Sequence, residues 1–581
     1  MPKKTLLDKE KHEKDTFKII ILFVIIVFLF TIFLSRVFYL STHTPSTFIS
    51  TIISHKDLAI RGKIISKDNF VIAQNKKIYS VAVIPKYINP QKKELFINLL
   101  SIYTNKPKTY FQKIIDNHPN RVIILKHIPY KIKKSLEYLS NVFAIKKVFL
   151  PTKNKIIYGL DIFEEPSKRY YPFKDRLEPA LGYARYNYKH QRVGMGLEKY
   201  YDAILMPQQN GYIKGYRDVQ NHIIYDNKAI IKRRIDGENL KLNVNLVFQG
   251  KIENMLDSMK KEMNATEVLS VVMQTKTGKI LSIATSNRYN PMHIRKEDIP
   301  YLKISHIQYS YEPGSVMKPI ILSLLLKHHK VNIFEVLNAY NGVYHLTRHF
   351  TIYDDTPFKW LNVIQAVIHS SNIVFAQLGM RLTPDEFRNG LLSFGFDKKS
   401  GIDLPYEYRG VLFSRQGLLS KIHRASNSFG YAMQVNLIQL LKAYNTFNNE
   451  GVIITPKIAY SYGDTIIEHR KKQIISPAIA QTILNILRKV VLQGTARATN
   501  VKGLFIAGKT GTAKINKNGE YIEGLYNTSF IGFVNDKTHK YTIAVLVVKP
   551  DKKHYFASQS AVVVFRKIVD IMLEMNFLHK N

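Results

Sequence analysis

Apolar and polar positions divide this chain of 581 residues into one N-terminal apolar run and a long mixed remainder. Residues Ile19–Leu34 include a single polar side chain, Thr31, and the apolar character continues to Leu40. A helix over 19–40 would be about 33 Å long, enough to span a bilayer with Arg36 near one face. Since no later segment is comparably long and apolar, the pattern predicts a single transmembrane helix.

Positive charges flank this apolar run unequally. Six lysines precede it, whereas Arg36 is the only Lys or Arg between Lys18 and Lys56. Such a bias places the N-terminal side in the cytoplasm. The sequence therefore predicts a cytoplasmic tail over 1–18, with everything after residue 40 outside. A cleaved signal peptide is the alternative, but the run is long for one and no obvious small-x-small cleavage site follows it.

Between residue 41 and about residue 245, short β-rich runs alternate with Lys-rich helical stretches. The runs IYSVAVI, RVIIL and FAIKKVF are typical of strands. From Leu246, a helical pattern (VFQGKIENMLDSMKKEM) leads into two strand patterns, LSVVMQ and KILSIAT, joined by a glycine turn. We predict an extended α/β module over 41–245 and a second domain over 246–581.

The second domain begins and ends with strand patterns. Its long middle, about 315–447, is predominantly helical, and its end carries the strands LFIAGK, NTSFIGFV and KYTIAVLVVK before a helix from about Ser560 to Glu574. Strands at both ends with helices between them predict one antiparallel sheet flanked by helices. The predicted fold class is therefore α+β, with several domains behind one transmembrane helix.

Charge and cysteine usage narrow the classes of partner. The chain has 85 Lys and Arg against 44 Asp and Glu, a net charge of +41 spread along its length. Because this charge is spread out, it is first interpreted as a compositional drift toward Lys, Asn, Ile, Tyr and Phe along the whole chain. If it serves a partner, the predicted location outside the cytoplasm favours anionic headgroups or carboxylate-bearing cell wall over nucleic acid. The absence of cysteine excludes disulfides and thiolate metal sites, and no histidine cluster has metal-ligand spacing. No metal or cofactor is predicted.

The first candidate for chemistry is the pair Ser315 and Lys318 in YEPGSVMKPIILSLLL, where a Pro-Gly pair precedes a helical run. Positions i and i+3 share a helix face, so the Lys318 amine can reach the Ser315 hydroxyl. A serine needs a base to act as a nucleophile, and a lysine near a helix N-terminus and another cation is driven toward its neutral, basic form. The spacing alone is weak, because Ser258 and Lys261 share it on a predicted solvated helix face.

Two further motifs follow in order: Ser370-Ser371-Asn372, and Lys509-Thr510-Gly511 followed by Thr512. Ser370 can relay a proton toward a leaving amine, and Asn372 can hold Lys318 and a substrate peptide. Lys509 can bind a substrate carboxylate and depress the pKa of Lys318.

The third motif also supplies binding groups. The hydroxyls of Thr510 and Thr512 can bind the same carboxylate, and Gly511 lets the strand backbone approach a ligand closely. Backbone N–H groups of Ser315 and Thr512 can form an oxyanion hole. An earlier K-T-G at Lys276 precedes the serine motif, and we interpret it as an ordinary hairpin turn.

These motifs, in this order, resemble those of class B penicillin-binding proteins, which are monofunctional peptidoglycan transpeptidases. GFDKKSGIDLP, SFGYAMQVNLIQLLKAY and AGKTGTA are similar to the same family. Three N-terminal stretches resemble its pedestal motifs: Arg61-Gly62-Lys63-Ile64, Arg169-Tyr170-Tyr171-Pro172, and Gly196-Leu197-Glu198 with Tyr201-Asp202. Two positions depart from the family pattern: Lys67-Asp68-Asn69-Phe70 replaces an acidic-basic-Asn-Gly turn, and Asn245 replaces an aspartate.

The resemblance implies a pedestal, or dimerisation-type, domain over 41–245 and a penicillin-binding transpeptidase domain over 246–581. It implies acylation of Ser315 by a D-alanyl-D-alanine stem peptide, transfer to an amine acceptor, and inhibition by β-lactams. The implied catalytic set is Ser315, Lys318, Ser370, Asn372 and Lys509, with Thr510, Gly511 and Thr512 binding substrate. The implied location is the cell inner membrane, with a periplasmic catalytic domain and with a membrane glycan polymerase and other divisome proteins as partners.

Within class B, the resemblance favours the division-specific, or septal, branch. SSN, FGYAMQVNLIQ and the ending KKHYFASQSAVVVFRKIVDIML resemble division enzymes. The elongation branch usually has an aspartate in the second motif and a His-Ala-Trp-Phe-like stretch where this chain has Tyr526–Phe530. The alternatives are an elongation-specific transpeptidase, a penicillin-binding sensor, and a carboxypeptidase or β-lactamase. A sensor would need a cytosolic signalling domain, for which residues 1–18 are too short.

Overall fold

The structure is a computed structural model that describes residues 3–42, 52–152, 157, 159–186, 192–216, 223–517 and 520–580. Its α-helices are α1 (Lys3–Thr42), α2 (Lys93–Thr104), α3 (Lys108–Asn117), α4 (Tyr130–Ile145), α5 (Gly196–Tyr200), α6 (Asp202–Leu205), α7 (Leu246–Glu262), α8 (Ser305–Gln308), α9 (Lys318–Lys327), α10 (Val363–Ile368), α11 (Asn372–Gly379), α12 (Pro384–Ser393), α13 (Lys421–Ser428), α14 (Leu437–Asn448), α15 (Pro477–Gln493) and α16 (Ala561–Glu574).

The β-strands of the same residues are β1 (Ile52–Asp57), β2 (Ile64–Ile65), β3 (Val71–Val83), β4 (Val122–Ile128), β5 (Asp161–Tyr170), β6 (Ala184–Tyr186), β7 (Arg192–Gly194), β8 (Gly211–Tyr216), β9 (Ile230–Lys232), β10 (Leu240–Leu242), β11 (Glu267–Gln274), β12 (Ile280–Thr285), β13 (Val336–Asn338), β14 (Val343–Thr347), β15 (Phe350–Tyr353), β16 (Trp360–Asn362), β17 (Val452–Ile454), β18 (Ala459–Tyr462), β19 (Thr465–Ile466), β20 (Lys471–Gln473), β21 (Phe505–Lys517), β22 (Glu520–Asn535) and β23 (Lys540–Val548).

The chain forms two compact units, one of Met1–Asp57 with Gly211–Arg234 and one of Leu58–Asn210 with Ile235–Asn581. The first unit contains α1 and the antiparallel sheet β1-β8-β9. Within α1, the segment Asp15–Thr42 is the one helix of the described residues that is long and apolar enough to cross a membrane. The predicted membrane segment, 19–40, lies inside it.

The second unit contains a sheet with the order β19-β18-β10-β2-β3-β4, in which β5 also pairs with β3. Strand β10 lies parallel to β2 and antiparallel to β18, so this sheet draws strands from both sides of residue 245. The runs IYSVAVI and RVIIL lie in β3 and β4, as predicted.

The predicted strand FAIKKVF was wrong, because its first residues end α4. Leu136, Leu139 and Phe143 recur at helical spacing and are buried in one hydrophobic cluster with α2, α3 and β3. Their shared apolar face stabilises the helix, whereas FAIKKVF considered alone is a short apolar run with two lysines in its middle, which does not distinguish a strand from a helix.

Three separate stretches of this unit meet at the fully buried Glu198. Arg61 Nε donates to Glu198 Oε2 at 2.9 Å, and Arg169 Nε donates to Glu198 Oε1 at 2.6 Å. Arg61 Nη1 also reaches Asp202 Oδ1 at 2.6 Å. Because these charges lie out of water, each needs its partner to remain ionised, so the cluster fixes the relative positions of the predicted pedestal motifs.

The two departures from the family pattern both cap the start of α7. Asp68 accepts hydrogen bonds from Leu246 N at 2.9 Å and Val247 N at 3.2 Å. Asn245 accepts from Phe248 N at 2.9 Å as the N-cap residue. Together they satisfy N–H groups that a helix start leaves without intrahelical partners.

The central sheet of the second unit is antiparallel, with the order β12-β11-β23-β22-β21. Phe530 and Phe533 of β22 project to opposite faces, as an odd spacing along a strand requires. Phe530 packs edge-on against Phe565 of α16, with ring centroids 4.7 Å apart, and Phe533 lies beside Tyr444 of α14. Helices therefore cover both faces, which confirms the predicted antiparallel sheet flanked by helices.

The stretch between α9 and α14 is mainly helical, but it also contains two small antiparallel pairs, β13 with β16 and β14 with β15. These strands were not predicted from the sequence. They place the end of β15 next to the start of α11.

Candidate active site

Ser315 lies in a 3₁₀ turn, Gly314–Met317, and Lys318 begins α9. Gly314 has a left-handed backbone (φ +63°), and its N–H donates to Gly430 O at 3.0 Å, which anchors the turn. Lys318 Nζ lies 2.9 Å from Ser315 Oγ. The amine and the hydroxyl that the sequence pairs are therefore in hydrogen-bonding contact.

The second motif surrounds the same amine. Lys318 Nζ donates to Ser370 O at 2.5 Å and to Asn372 Oδ1 at 2.8 Å, and it lies 3.2 Å from Ser370 Oγ. Ser370 lies in the turn between α10 and α11 with φ +62°, a left-handed conformation that is uncommon for a residue other than glycine. This conformation directs both its carbonyl and its hydroxyl toward Lys318.

The third motif lies on β21, beside the first two. Lys509 is fully buried, and its Nζ donates to Ser370 Oγ at 3.0 Å and to Thr510 O at 3.2 Å. The five predicted catalytic side chains are therefore brought into one connected hydrogen-bond network, although they come from three distant parts of the chain.

Burial changes the protonation of both lysines. It lowers the pKa of the fully buried Lys318 to about 7, while the carboxylates of Asp354 and Asp355 act in the raising direction. Burial, followed by repulsion from Lys318, also holds the pKa of Lys509 well below its ordinary value. We predicted Lys509 as the cause of the low Lys318 pKa, whereas desolvation is its main cause. A neutral Lys318 is therefore available near pH 7.

The predicted binding residues occupy the same strand. Thr510 is buried, and its hydroxyl lies 2.7 Å from Thr495 Oγ1 and 3.5 Å from Lys509 Nζ. Thr512 is half-buried, and its hydroxyl accepts from Ala557 N at 3.3 Å. Both hydroxyls thus lie on the strand that carries Lys509, with Thr510 in contact with its amine.

At two positions around Ser315, neighbouring backbone segments approach so closely that only glycine fits. A Cβ on Gly511 would lie 2.6 Å from Ser529 Oγ and 2.9 Å from Pro313 O, so a side chain there would push β21 away from the serine turn. Gly430 has φ +87°, and a Cβ there would lie 2.0 Å from Gly314 O. The absence of side chains lets these segments close around Ser315.

Two other sequence matches to these motifs lie outside the candidate active site. Ser258 donates to Asn254 O within α7, on an exposed position of the helix. The earlier K-T-G lies in the hairpin between β11 and β12, where Gly278 has φ +75°. Both interpretations made from the sequence agree with these placements.

Several contacts at the site were not predicted from the sequence. Glu312 accepts from Ala432 N at 2.8 Å, Thr495 contacts Thr510, and Asp354 contacts the second motif. Glu312 precedes the serine in EPGS and could have been found there. No motif in the neighbouring sequence marks Thr495 or Asp354, because only the tertiary fold brings these residues to the site.

The arrangement suits acyl transfer by a serine nucleophile with a lysine base. A hydroxyl in contact with a neutral amine can be deprotonated as it attacks a carbonyl, and a second hydroxyl linking two amines can move protons. Among the residues that the structure describes, no group of three or more His, Asp or Glu side chains could hold a metal ion.

Comparison with known families decides the assignment. The penicillin binding protein transpeptidase domain matches residues 268–570, more than half of the chain. The chain belongs to the penicillin-binding protein transpeptidase family. A penicillin-binding protein dimerisation domain also matches residues 56–242, and the two together characterise class B penicillin-binding proteins.

Sequence similarity to individual proteins supports the same family. Stage V sporulation protein D of Bacillus subtilis is 29% identical over 507 residues, covering 84% of this chain and 74% of that protein. The peptidoglycan D,D-transpeptidase FtsI of Buchnera aphidicola subsp. Baizongia pistaciae is 25% identical, covering 89% of this chain and 87% of that protein.

The fold agrees as well. The crystal structure of penicillin binding protein 2X from Streptococcus thermophilus superposes with a TM-score of 0.74 at 19% sequence identity. The match covers 89% of this chain and 80% of that one. At this identity the likeness shows the fold, while the chemistry rests on the site itself.

Proposed function

We propose that this chain is a membrane-anchored serine D,D-transpeptidase that cross-links peptidoglycan stem peptides, and that it acts during septum formation. One observation carries the proposal: Lys318 Nζ lies 2.9 Å from Ser315 Oγ, and burial brings the pKa of that amine to about 7. A general base is most effective when its pKa is close to the working pH.

In the acylation step, Ser315 Oγ attacks the carbonyl carbon of the D-alanyl-D-alanine bond while Lys318 takes the hydroxyl proton. The N–H groups of Ser315 and Thr512 receive the developing oxyanion. When the C–N bond breaks, the departing D-alanine amine takes a proton through the hydroxyl of Ser370, and Lys318 replaces that proton. The product is an ester on Ser315.

In the transfer step, the amine of a neighbouring stem peptide attacks this ester. The amine gives up one proton, the new amide bond forms, and Ser315 leaves as a hydroxyl. Lys318 again moves the proton, since it remains in contact with Ser315 and with Asn372 Oδ1 at 2.8 Å.

Lys509 is proposed to bind the terminal carboxylate of the donor, with the hydroxyls of Thr510 and Thr512 and the open backbone of Gly511. An incoming carboxylate would raise the low pKa of Lys509 and restore its charge. That charge would in turn favour the neutral form of Lys318, so substrate binding prepares the base.

We also propose the domain limits and topology that the sequence indicates: tail 1–18, membrane helix 19–40, pedestal 41–245 and transpeptidase domain 246–581. The lysines before residue 19 support a cytoplasmic N-terminus in the inner membrane and a periplasmic catalytic domain. Protease added to intact spheroplasts should digest the catalytic domain, and protection of that domain would contradict this topology.

The septal role rests on the SSN motif and on likeness to a relative named FtsI. A membrane glycan polymerase and other divisome proteins are the proposed partners. Depletion of the chain should give filaments, and round cells would instead indicate elongation. This phenotype distinguishes a division role from an elongation role, and neither outcome changes the proposed transpeptidase reaction.

Fluorescent penicillin tests the reaction class. The full-length chain in detergent should form a long-lived adduct that the substitution Ser315→Ala abolishes. Ser258→Ala is the matched control, because it removes a serine with the same Lys spacing from an exposed helix position. Rapid loss of label would indicate a β-lactamase, and an unlabelled wild type would overturn the serine site.

A further inference from the structure

The hairpin β14–β15 ends against the second motif of the active site. Its last residue, Tyr353, and the next residue, Asp354, make four hydrogen bonds to three consecutive residues, Ser371, Asn372 and Ile373. These four hydrogen bonds link the hairpin to the reaction centre.

Asp354 makes three of these bonds with one carboxylate. Ser371 Oγ donates to Oδ2 at 2.5 Å, while Asn372 N and Ile373 N donate to Oδ1 at 2.5 and 3.1 Å. The carboxylate thus accepts from the first two N–H groups of α11, where a negative charge is favoured. Asp354 therefore holds residues 371–373 in place. These residues directly follow Ser370, which has a left-handed backbone (φ +62°).

The fourth bond sets the orientation of the Asn372 amide. Its Nδ2 donates to Tyr353 O at 2.9 Å, which leaves Oδ1 directed at Lys318 Nζ at 2.8 Å. With the amide reversed, an NH₂ group would face the lysine amine. The hairpin therefore decides which atom of Asn372 meets the base.

We propose that Asp354 is a positioning residue that, with the carbonyl of Tyr353, clamps the turn at Ser370–Asn372 around Lys318 and so keeps the base aimed at Ser315. This inference rests on the proposed acyl-transfer function. Asp354 does not contact the reacting atoms itself; it acts through Ser370 and Asn372, which both contact the Lys318 amine.

A charge effect of Asp354 must be separated from its positioning effect. The ionisable groups that face Lys318 are Lys509 of β21 and the neighbouring carboxylates of Asp354 and Asp355. Both carboxylates act to raise the pKa of Lys318, but only Asp354 hydrogen-bonds to the second motif. Asp355 is exposed. Asp355→Asn is therefore a matched control that removes a charge and leaves the clamp in place.

The experiment measures the second-order rate constant for acylation of the full-length chain by fluorescent penicillin from pH 5 to 9. Asp354→Asn can keep the two backbone bonds but loses the acceptor for the Ser371 hydroxyl, and Asp354→Ala loses all three bonds. We expect the high-pH plateau to fall about 10-fold in Asp354→Asn and about 100-fold in Asp354→Ala, the scale of a misplaced catalytic group. Asp355→Asn should stay within about threefold of wild type by the same measure.

Two readouts separate positioning from charge and from misfolding. Removing either carboxylate should move the low-pH limb toward lower pH, whereas only loss of Asp354 should lower the plateau, where Lys318 is already neutral. The final labelling stoichiometry at long times reports the folded fraction, because a folded but slow variant still labels completely. Slow, complete labelling of Asp354→Asn supports the clamp.

The inference is overturned if the plateau of Asp354→Asn equals that of Asp355→Asn, or if the loss disappears once rates are divided by final stoichiometry. Both results leave the proposed function intact, since wild type is still acylated at Ser315. Failure of wild type itself to label would instead refute the proposed function, so the two failures are distinguishable.

Discussion

The amines of Lys318 and Lys509 both lie within hydrogen-bonding distance of one hydroxyl, that of Ser370, at 3.2 and 3.0 Å. One lysine begins a helix and the other lies in a strand, and the sequence separates them by almost two hundred residues. Ser370 thus connects the base next to the nucleophile with the lysine proposed to bind the substrate carboxylate.

Removing this connection should slow acylation. In Ser370→Ala, Lys318 keeps its contact with Ser315, but no hydroxyl remains to carry a proton to the leaving group. We expect the rate of acylation by penicillin to fall about 100-fold, at the low end of general acid–base contributions. Stopped-flow labelling measures this, with Ser258→Ala as the control. A rate within twofold of wild type would show that the relay is not used.

Acylation should depend on pH through the Lys318 amine. Because its pKa is lowered to about 7, the amine is neutral above that pH and protonated below it. A protonated amine cannot accept the Ser315 proton, so the rate should fall about tenfold for each pH unit below the pKa. Labelling rates between pH 5 and 9 provide the profile. A flat profile down to pH 5 would contradict a lysine base.

The close packing at Gly430 should be essential for the nucleophile turn. In Gly430→Ala, the new Cβ would overlap Gly314 O, 2.0 Å away, and displace the residue before Ser315. Gly524→Ala is the matched control, since Gly524 also has a positive φ (+79°) but no atom within 4 Å of the added carbon.

We expect Gly430→Ala to lose acylation by about 100-fold, the cost of misplacing a reacting group. Gly524→Ala should retain activity and lose only about 1 kcal/mol of stability from backbone strain. Labelling rates and thermal unfolding measure the two effects. If both variants lost activity equally, backbone strain rather than the contact with Gly314 would be responsible.

The buried cluster in the pedestal should matter for stability rather than for chemistry. Glu198→Gln leaves the Arg169 guanidinium without its buried counter-charge and Arg61 with only the partly exposed Asp202, which should destabilise the unit by about 3–5 kcal/mol. Asp570→Asn breaks an exposed pair with Arg566 in α16 and should have little effect. Thermal unfolding compares them, and equal shifts in Tm would mean that the cluster is not a structural anchor.

The sequence was most informative where chemistry needs fixed residue types. Ser315, Lys318 and Lys509 could be found because three short motifs occur in the order of a known family, whereas the Ser-Lys spacing alone also fits Ser258 and Lys261. The antiparallel sheet could be predicted because its strands carry long apolar runs with clear turns between them. The candidate membrane-spanning helix could also be predicted, because a mostly apolar run of that length is typical of a membrane-spanning segment.

Other features depend on the tertiary fold and leave no local pattern. Asp354 is one acidic residue in an unremarkable stretch until β15 brings it to the second motif. The end of α4 was wrongly predicted as a strand because FAIKKVF, considered alone, is a short run rich in strand-favouring residues, and the helical spacing of Leu136, Leu139 and Phe143 lies mostly before it. The pKa of Lys318 was traced to the wrong cause because burial cannot be read from neighbours in sequence.

The central claim is that Ser315 is the residue acylated with the help of Lys318, and mass spectrometry after penicillin labelling tests it most directly. Trypsin should release the peptide Ile304–Lys327 intact at Lys318, because proline follows that lysine. We expect the drug mass on Ser315 in this peptide, with no adduct in Ser315→Ala and strongly slowed labelling in Lys318→Met. An adduct on another residue, or unchanged labelling in either variant, would contradict the claim.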